Sequence, residues 1–164
     1  MALRNIVTVG DNVLTKKCRL VTKFDKRLHI LLDDMVDTLI DSNGVGLAAP
    51  QVGVLRRVVL VDTGDDGILE LINPEILETG GEQTGLEGCL SVPGEYGIVT
   101  RPNYVKITAQ DRFGEWFEAE GEGLIARCFC HELAHLEGQL YTAVADRMLT
   151  KEELEELMNE DDDE

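Results

Sequence analysis

His131, Glu132 and His135 stand in the spacing H-E-x-x-H, within the run His131-Glu132-Leu133-Ala134-His135. On an α-helix two residues four apart lie one turn from each other on the same face, so both imidazoles can grip one divalent cation. The glutamate beside the first histidine is then held next to the cation without ligating it. There it can take a proton from a metal-bound water. A catalytic site of this kind uses three protein ligands and keeps a position for water, so the histidine pair is one ligand short.

The continuation through Gly138 matches H-E-x-x-H-x-x-G, the start of the metzincin pattern, but its third histidine would fall at Tyr141. That reading loses a ligand. The one other histidine, His29, lies inside an amphipathic segment and reads as a surface or packing residue. A thiolate is a strong ligand for iron or zinc, and the chain has Cys18, Cys89, Cys128 and Cys130. Cys89 is favoured because the flanking Gly88 gives backbone freedom to aim its side chain inward. Cys128, three residues before His131, is its rival. Thiols filling core space account for Cys18, Cys128 and Cys130.

The motif helix is expected to start after Gly121-Glu122-Gly123 and run from Leu124 to Glu137, with Gly138 as its C-terminal cap. An earlier helix is predicted from Asp25 to Asp41, where Leu28, Leu31, Leu32, Met35, Val36 and Leu39 recur at helical spacing. Ser42-Asn43-Gly44 should end it. The run Gly44 to Gln51 is too rich in glycine for a regular helix or strand. Arg57 to Val61 and Leu69 to Asn73 read as strands, and Val105 to Asp111 pairs with Glu115 to Glu120 across Arg112-Phe113-Gly114 as a hairpin. A short last helix opens at Thr150, which has capping-box spacing to Glu153. The fold class is α+β: antiparallel sheets packed around a central metal-binding helix, with an N-terminal amphipathic helix and a short C-terminal one.

The 164 residues, 43% of them hydrophobic, suit one domain over 1–164 with a real core. No apolar stretch is long enough to cross a bilayer and the start is no signal peptide, so a cytoplasmic protein with reduced thiols is expected. With 15 basic against 32 acidic side chains, no direct binding to nucleic acid and none to anionic membrane is expected. Part of the acidic excess is a solvated helix face and a frayed tail over 160–164.

Three segments, Gly44-Val45-Gly46-Leu47-Ala48-Ala49-Pro50-Gln51, Glu87-Gly88-Cys89-Leu90-Ser91 and His131-Glu132-Leu133-Ala134-His135, resemble in order and spacing the three signature motifs of peptide deformylases. The resemblance covers nearly the full chain. It implies removal of the formyl group from the N-terminal formyl-methionine of newly made proteins. It implies Cys89, His131 and His135 as ligands of one divalent ion, natively Fe2+, with Zn2+, Ni2+ or Co2+ able to occupy the site. Glu132 would be the general acid and base. The side-chain amide of Gln51 and the backbone N–H of Leu90 would steady the charge growing on the formyl oxygen. Val45 and Gly46 would let the peptide pair along a strand edge, while Leu124 and Cys128 would line an apolar pocket for methionine. The implied partners are N-formyl-methionyl nascent peptides, with transient ribosome proximity, and the enzyme would be a monomer. This chain departs from the family at Ala134, commonly Asp, and at Cys130, often Gln, so the groups around the ligands are expected to alter metal affinity. Asn12 replaces a usual proline.

Two other functions compete. One is a zinc-dependent peptidase using the same Glu132. The other is a non-catalytic module whose structural metal would require a fourth ligand such as Cys128.

Overall fold

A computed structural model describes residues 2–162. Its elements in chain order are α1 (Lys26–Ser42), β1 (Gly46–Ala48), β2 (Val58–Asp62), β3 (Ile68–Gly80), β4 (Gln83–Cys89), β5 (Val92–Arg101), β6 (Tyr104–Gln110), β7 (Trp116–Glu122), α2 (Leu124–Leu136), β8 (Arg147–Met148) and α3 (Lys151–Asp162). Helices combine with two antiparallel sheets, one of five strands in the order β1-β2-β3-β6-β7 and one of three in the order β4-β5-β8.

The alternation of side chains along β2 explains the larger sheet. Val58 and Leu60 point to one face, where Leu28, Leu31, Leu32, Met35 and Leu39 of α1 pack. Val59 and Val61 point to the other, against Ala126, Phe129, Leu133 and Leu136 of α2. A strand covered on both faces reads as a continuous apolar run, as this one does. On its far side α2 meets the smaller sheet, whose own core is Val92, Val99 and Tyr141. The helix carrying the H-E-x-x-H residues therefore lies between the sheets.

Local chemistry sets the element ends. The Asp25 carboxylate accepts from the Leu28 N–H to cap α1, and Asn43 closes it in the left-handed region at φ 56°. Gly138, at φ 75°, donates to the His135 carbonyl past the end of α2. Thr150 and Glu153 form the reciprocal capping box expected of them. The helix backbone of α3 is described to Asp162, while positions 163 and 164 of the expected frayed end lie outside the described residues.

Three expectations about the strands change. Gly44 to Gln51 contains a short strand, β1, paired residue by residue with Val59 to Val61, followed by a 3-10 turn over Ala49–Val52. Pairing with β2 gives this glycine-rich run an extended form that its composition does not show. The strand expected over Leu69 to Asn73 extends to Gly80, bending through register shifts after Ile72 and Ile76. The stretch from Gln83 to Arg101 is a long hairpin that sequence patterning left unassigned. Its glycines interrupt the alternation of apolar and polar residues on which a strand reading depends.

Candidate metal centre

His131 and His135 project from one face of α2, with ring centroids 5.0 Å apart. Cys89 arrives from the end of β4. The ligand atoms of Cys89, His131 and His135 all lie within 4.8 Å of one another, and Cys89 Sγ is 3.4 Å from His135 Nε2. The β4–β5 register shifts between Glu87 and Cys89, at Gly88. Gly88 is needed here for space rather than for unusual dihedrals: a Cβ would stand 2.6 Å from the Tyr96 ring. Tyr141, at the position of the absent third histidine, instead stacks on His131 at 5.8 Å and donates to the Glu95 carbonyl.

Beside the triad, the 3-10 turn fixes Gln51. Its Oε1 accepts from the Ala48 N–H at 2.9 Å, which turns Nε2 toward Ser91 Oγ at 3.1 Å and Cys89 Sγ at 3.5 Å. The amide thus presents its donors to the centre. Leu90 occupies the tight turn between β4 and β5, next to Cys89. Gln51, Leu90, Val45, Gly46, Leu124 and Cys128 share with Cys89, His131 and Glu132 the wall of one cleft of ≈ 260 Å³. Leu124 stands at its rim, 63% exposed, and Cys128 is buried, its thiol directed to the Val45 carbonyl. His135 is buried behind the cleft and does not line it. His29 lies elsewhere, bonded to the Arg112 carbonyl.

Glu132 is buried, and its Oε1 has no hydrogen-bond partner among the described residues. Burial penalises the carboxylate and pushes its pKa up to about 7. The carboxyl fits because residue 46 is glycine: a Cβ there would meet Glu132 Oε2 at 2.5 Å and Cys128 Sγ at 2.7 Å.

The composition and motifs did not foretell what surrounds the Cys89, His131 and His135 triad. Glu87 Oε1 accepts from His131 Nδ1 at 2.8 Å, which leaves Nε2 of that ring free to face the centre. The same carboxylate takes two bonds from Arg101, at 2.9 and 3.0 Å, and one from Arg127 at 2.6 Å. Burial opposes its charge, but the bonds from His131 and Arg101 prevail and lower its pKa to about 2. The available signal was Glu87 itself, an acid two residues before Cys89. No pattern linked it to arginines 14 and 40 positions away. The outer nitrogen of His135, Nδ1, is buried without a partner among the described residues. Ala134 opens instead on a surface hollow shared with Arg57, Arg101, Cys130 and Glu137.

The donor set fits one divalent ion. Burial works against a charged His131, yet bonds to Cys89 and Glu87 lift its pKa to about 10. Burial, then the charge of His131, press His135 down to about 3. The ring that stays neutral is in the form that binds metal, while the acidic groups around the other call for positive charge, which a cation held by Cys89, His131 and His135 would supply. Two imidazoles and one sulfur beside an unpaired carboxyl suit water activation by a single ion, so fold and site together define a mononuclear metallohydrolase.

Comparison with known proteins narrows the class. The family model described as polypeptide deformylase matches residues 3–151. The peptide deformylase of Lachnoclostridium phytofermentans is 58% identical over 144 residues, covering 86% of this chain and 88% of that protein. Peptide deformylase 1 of Bacillus subtilis is 50% identical, covering 96% and 99%. The crystal structure of the Thermotoga maritima peptide deformylase superposes with a TM-score of 0.85 at 41% identity, covering 88% of this chain and 98% of that one. The chain belongs to the peptide deformylase family, metal-dependent hydrolases that remove the formyl group from N-terminal formyl-methionine.

Proposed function

We propose that Cys89, His131 and His135 hold the catalytic ion, natively Fe2+ with Zn2+, Ni2+ or Co2+ as substitutes, and that Glu132 moves the proton. The observation carrying this reading is the convergence of the three candidate ligand atoms within 4.8 Å beside a buried carboxyl, one oxygen of which has no partner among the described residues. When bound, the ion supplies Lewis acidity, making water a better nucleophile at neutral pH. Glu132 accepts the proton of the attacking water and delivers it to the departing amine; a carboxyl with a pKa near 7 is suited to both tasks. Gln51 turns one N–H from Cys89 to the formyl oxygen, joined by the N–H of Leu90, where negative charge grows. Val45 and the outer edge of β1 at Gly46 receive the peptide backbone, and Leu124 with Cys128 lines the methionine pocket.

On this reading 1–164 is one catalytic domain built around α2 as the metal-binding helix. It acts as a cytoplasmic monomer on nascent chains close to the ribosome. A net charge of −17 speaks against direct contact with nucleic acid. No helix among the described residues is long and apolar enough to cross a membrane.

The test is an assay of formyl-methionyl peptides against unformylated ones, after anaerobic purification and metal analysis. Formate release without backbone cleavage is expected; peptide-bond cleavage would favour the peptidase. A structural metal site would need a fourth ligand such as Cys128, whose thiol faces the Val45 carbonyl at 3.5 Å. Glu132→Ala should keep the metal and lose deformylation, an outcome a structural site cannot produce.

A further inference from the structure

The proposed ligands come from two separate bodies. His131 and His135 are borne by α2, whereas Cys89 ends β4 of the long hairpin. The distance between sulfur and imidazoles therefore depends on how firmly hairpin and helix are joined. Glu87 is the hairpin's anchor for His131, but its two bonds from Arg101 run within the hairpin, from β5 to β4. They stiffen the hairpin without tying it to the helix.

Beside the Glu87–His131 bond, Arg127 supplies a further tie, one that reaches both strands. It lies four residues before His131, hence on the same face of α2 one turn earlier. Its Nη1 donates to Glu87 Oε2 at 2.6 Å and to the Val99 carbonyl of β5 at 3.1 Å, and its Nε donates to Gln83 Oε1 at 3.4 Å. One guanidinium thus spans both strands of the hairpin. Its side chain is 7% exposed, and Nη2 is buried without a partner among the described residues. A buried guanidinium left one donor short is costly, so packing alone gives no reason for this residue. The hairpin makes room for it at Gly85, where a Cβ would come within 3.2 Å of Nη2.

We infer that Arg127 is a positioning residue for the metal centre, clamping the hairpin that carries Cys89 and Glu87 onto the helix that carries the two histidines. The inference rests on the ligand assignment proposed above. Removing the guanidinium should let Cys89 and Glu87 drift from α2 together, loosening sulfur ligation and the orientation of His131 at once.

The test uses the full-length protein loaded with Zn2+ or Co2+. Arg127→Met keeps the apolar stem and leaves Glu87 its bonds from Arg101. Transfer of zinc to a chelator should be about tenfold faster or more, the range for lost partners of metal ligands. The thiolate-to-cobalt absorption band should weaken or shift. Arg127→Lys, which can still reach Glu87 but cannot span Val99 and Gln83, should fall between. Gly85→Ala, crowding Nη2 without changing charge, should show the same signature at smaller amplitude, and it carries the test if Arg127→Met does not fold. Chelator rates within twofold of the parent with an unaltered cobalt band, in whichever variants fold, would overturn the clamp. A parent that binds no stoichiometric metal, or a Cys89→Ser variant that holds it as firmly, would defeat the ligand assignment instead.

Discussion

Replacing Gly46 by alanine adds one methyl group at the point where β1 faces the proposed general base. Gly46 lies in a strand and has no left-handed dihedral, so alanine costs nothing in backbone conformation and the effect is confined to the methyl. That methyl would stand 2.5 Å from Glu132 Oε2 and 2.7 Å from Cys128 Sγ, whereas ordinary contacts begin near 3.4 Å. The carboxylate must retreat by roughly 1 Å, a misplacement that can cost about 100-fold in rate, or about 2.7 kcal/mol of barrier. It has little room to do so, being only 4% exposed. Overpacking should also lower stability by about 1–3 kcal/mol. The assay is formate release from a formyl-methionyl peptide, with metal content measured on the same sample. We expect kcat to fall near 100-fold at normal metal content. Adding Cys128→Ala relieves only the sulfur contact and should not restore the rate. An unchanged kcat with a raised KM would refute the reasoning, showing that the methyl obstructs the peptide rather than the base.

The other expected outcomes concern the proton, the charges and the oxyanion. Glu132→Gln should keep the metal while lowering kcat by about 10²–10⁴; a variant with more than a tenth of parental activity would contradict the role. In the metal-free parent, burial raises the Glu132 pKa from 4.5 to about 7, so the folded state keeps a proton that the unfolded chain releases. That stabilising contribution is complete below pH 4.5 and is lost as pH rises through about 7. Denaturant titrations of the metal-free proteins should therefore show Glu132→Gln gaining on the parent between pH 5 and 8, and parallel curves would argue against it. Glu87→Gln leaves two buried guanidiniums short of countercharge and should destabilise the protein by about 3–5 kcal/mol, as read by urea unfolding; a loss under about 1 kcal/mol would not fit the buried network. Gln51→Leu should reduce kcat by about 10²–10³ with little change in KM, and an unaltered kcat would remove Gln51 from the oxyanion site.

Short-range chemistry was legible from the chain. The four-residue spacing of His131 and His135 already placed both rings on one helix face, because helical geometry alone decides that. The stop of α1 at Asn43, the box at Thr150 and Glu153, and the stop at Gly138 follow from backbone groups satisfied within a few residues. The β6–β7 hairpin was likewise readable, since its strands alternate and a three-residue turn joins them closely.

Folding decided what those local rules leave open. Residue pattern favoured Cys89 over Cys128, but only folding brings the Cys89 sulfur to His135 and turns the Cys128 thiol toward Val45. Gly46 and Gly88 look alike as letters, yet one makes space for a carboxylate and the other for an aromatic ring. The Glu87, Arg101 and Arg127 cluster has no sequence period, because its members meet across two strands and a helix. The strength of such a cluster comes from shared burial, a property of the packed interior rather than of residue order. The sequence by itself named the candidate atoms for a metal and the candidate carboxyl for a proton, because residue type and helical spacing suffice for that. Only the tertiary structure decided their distances, their charge states and the guanidinium that fastens them together.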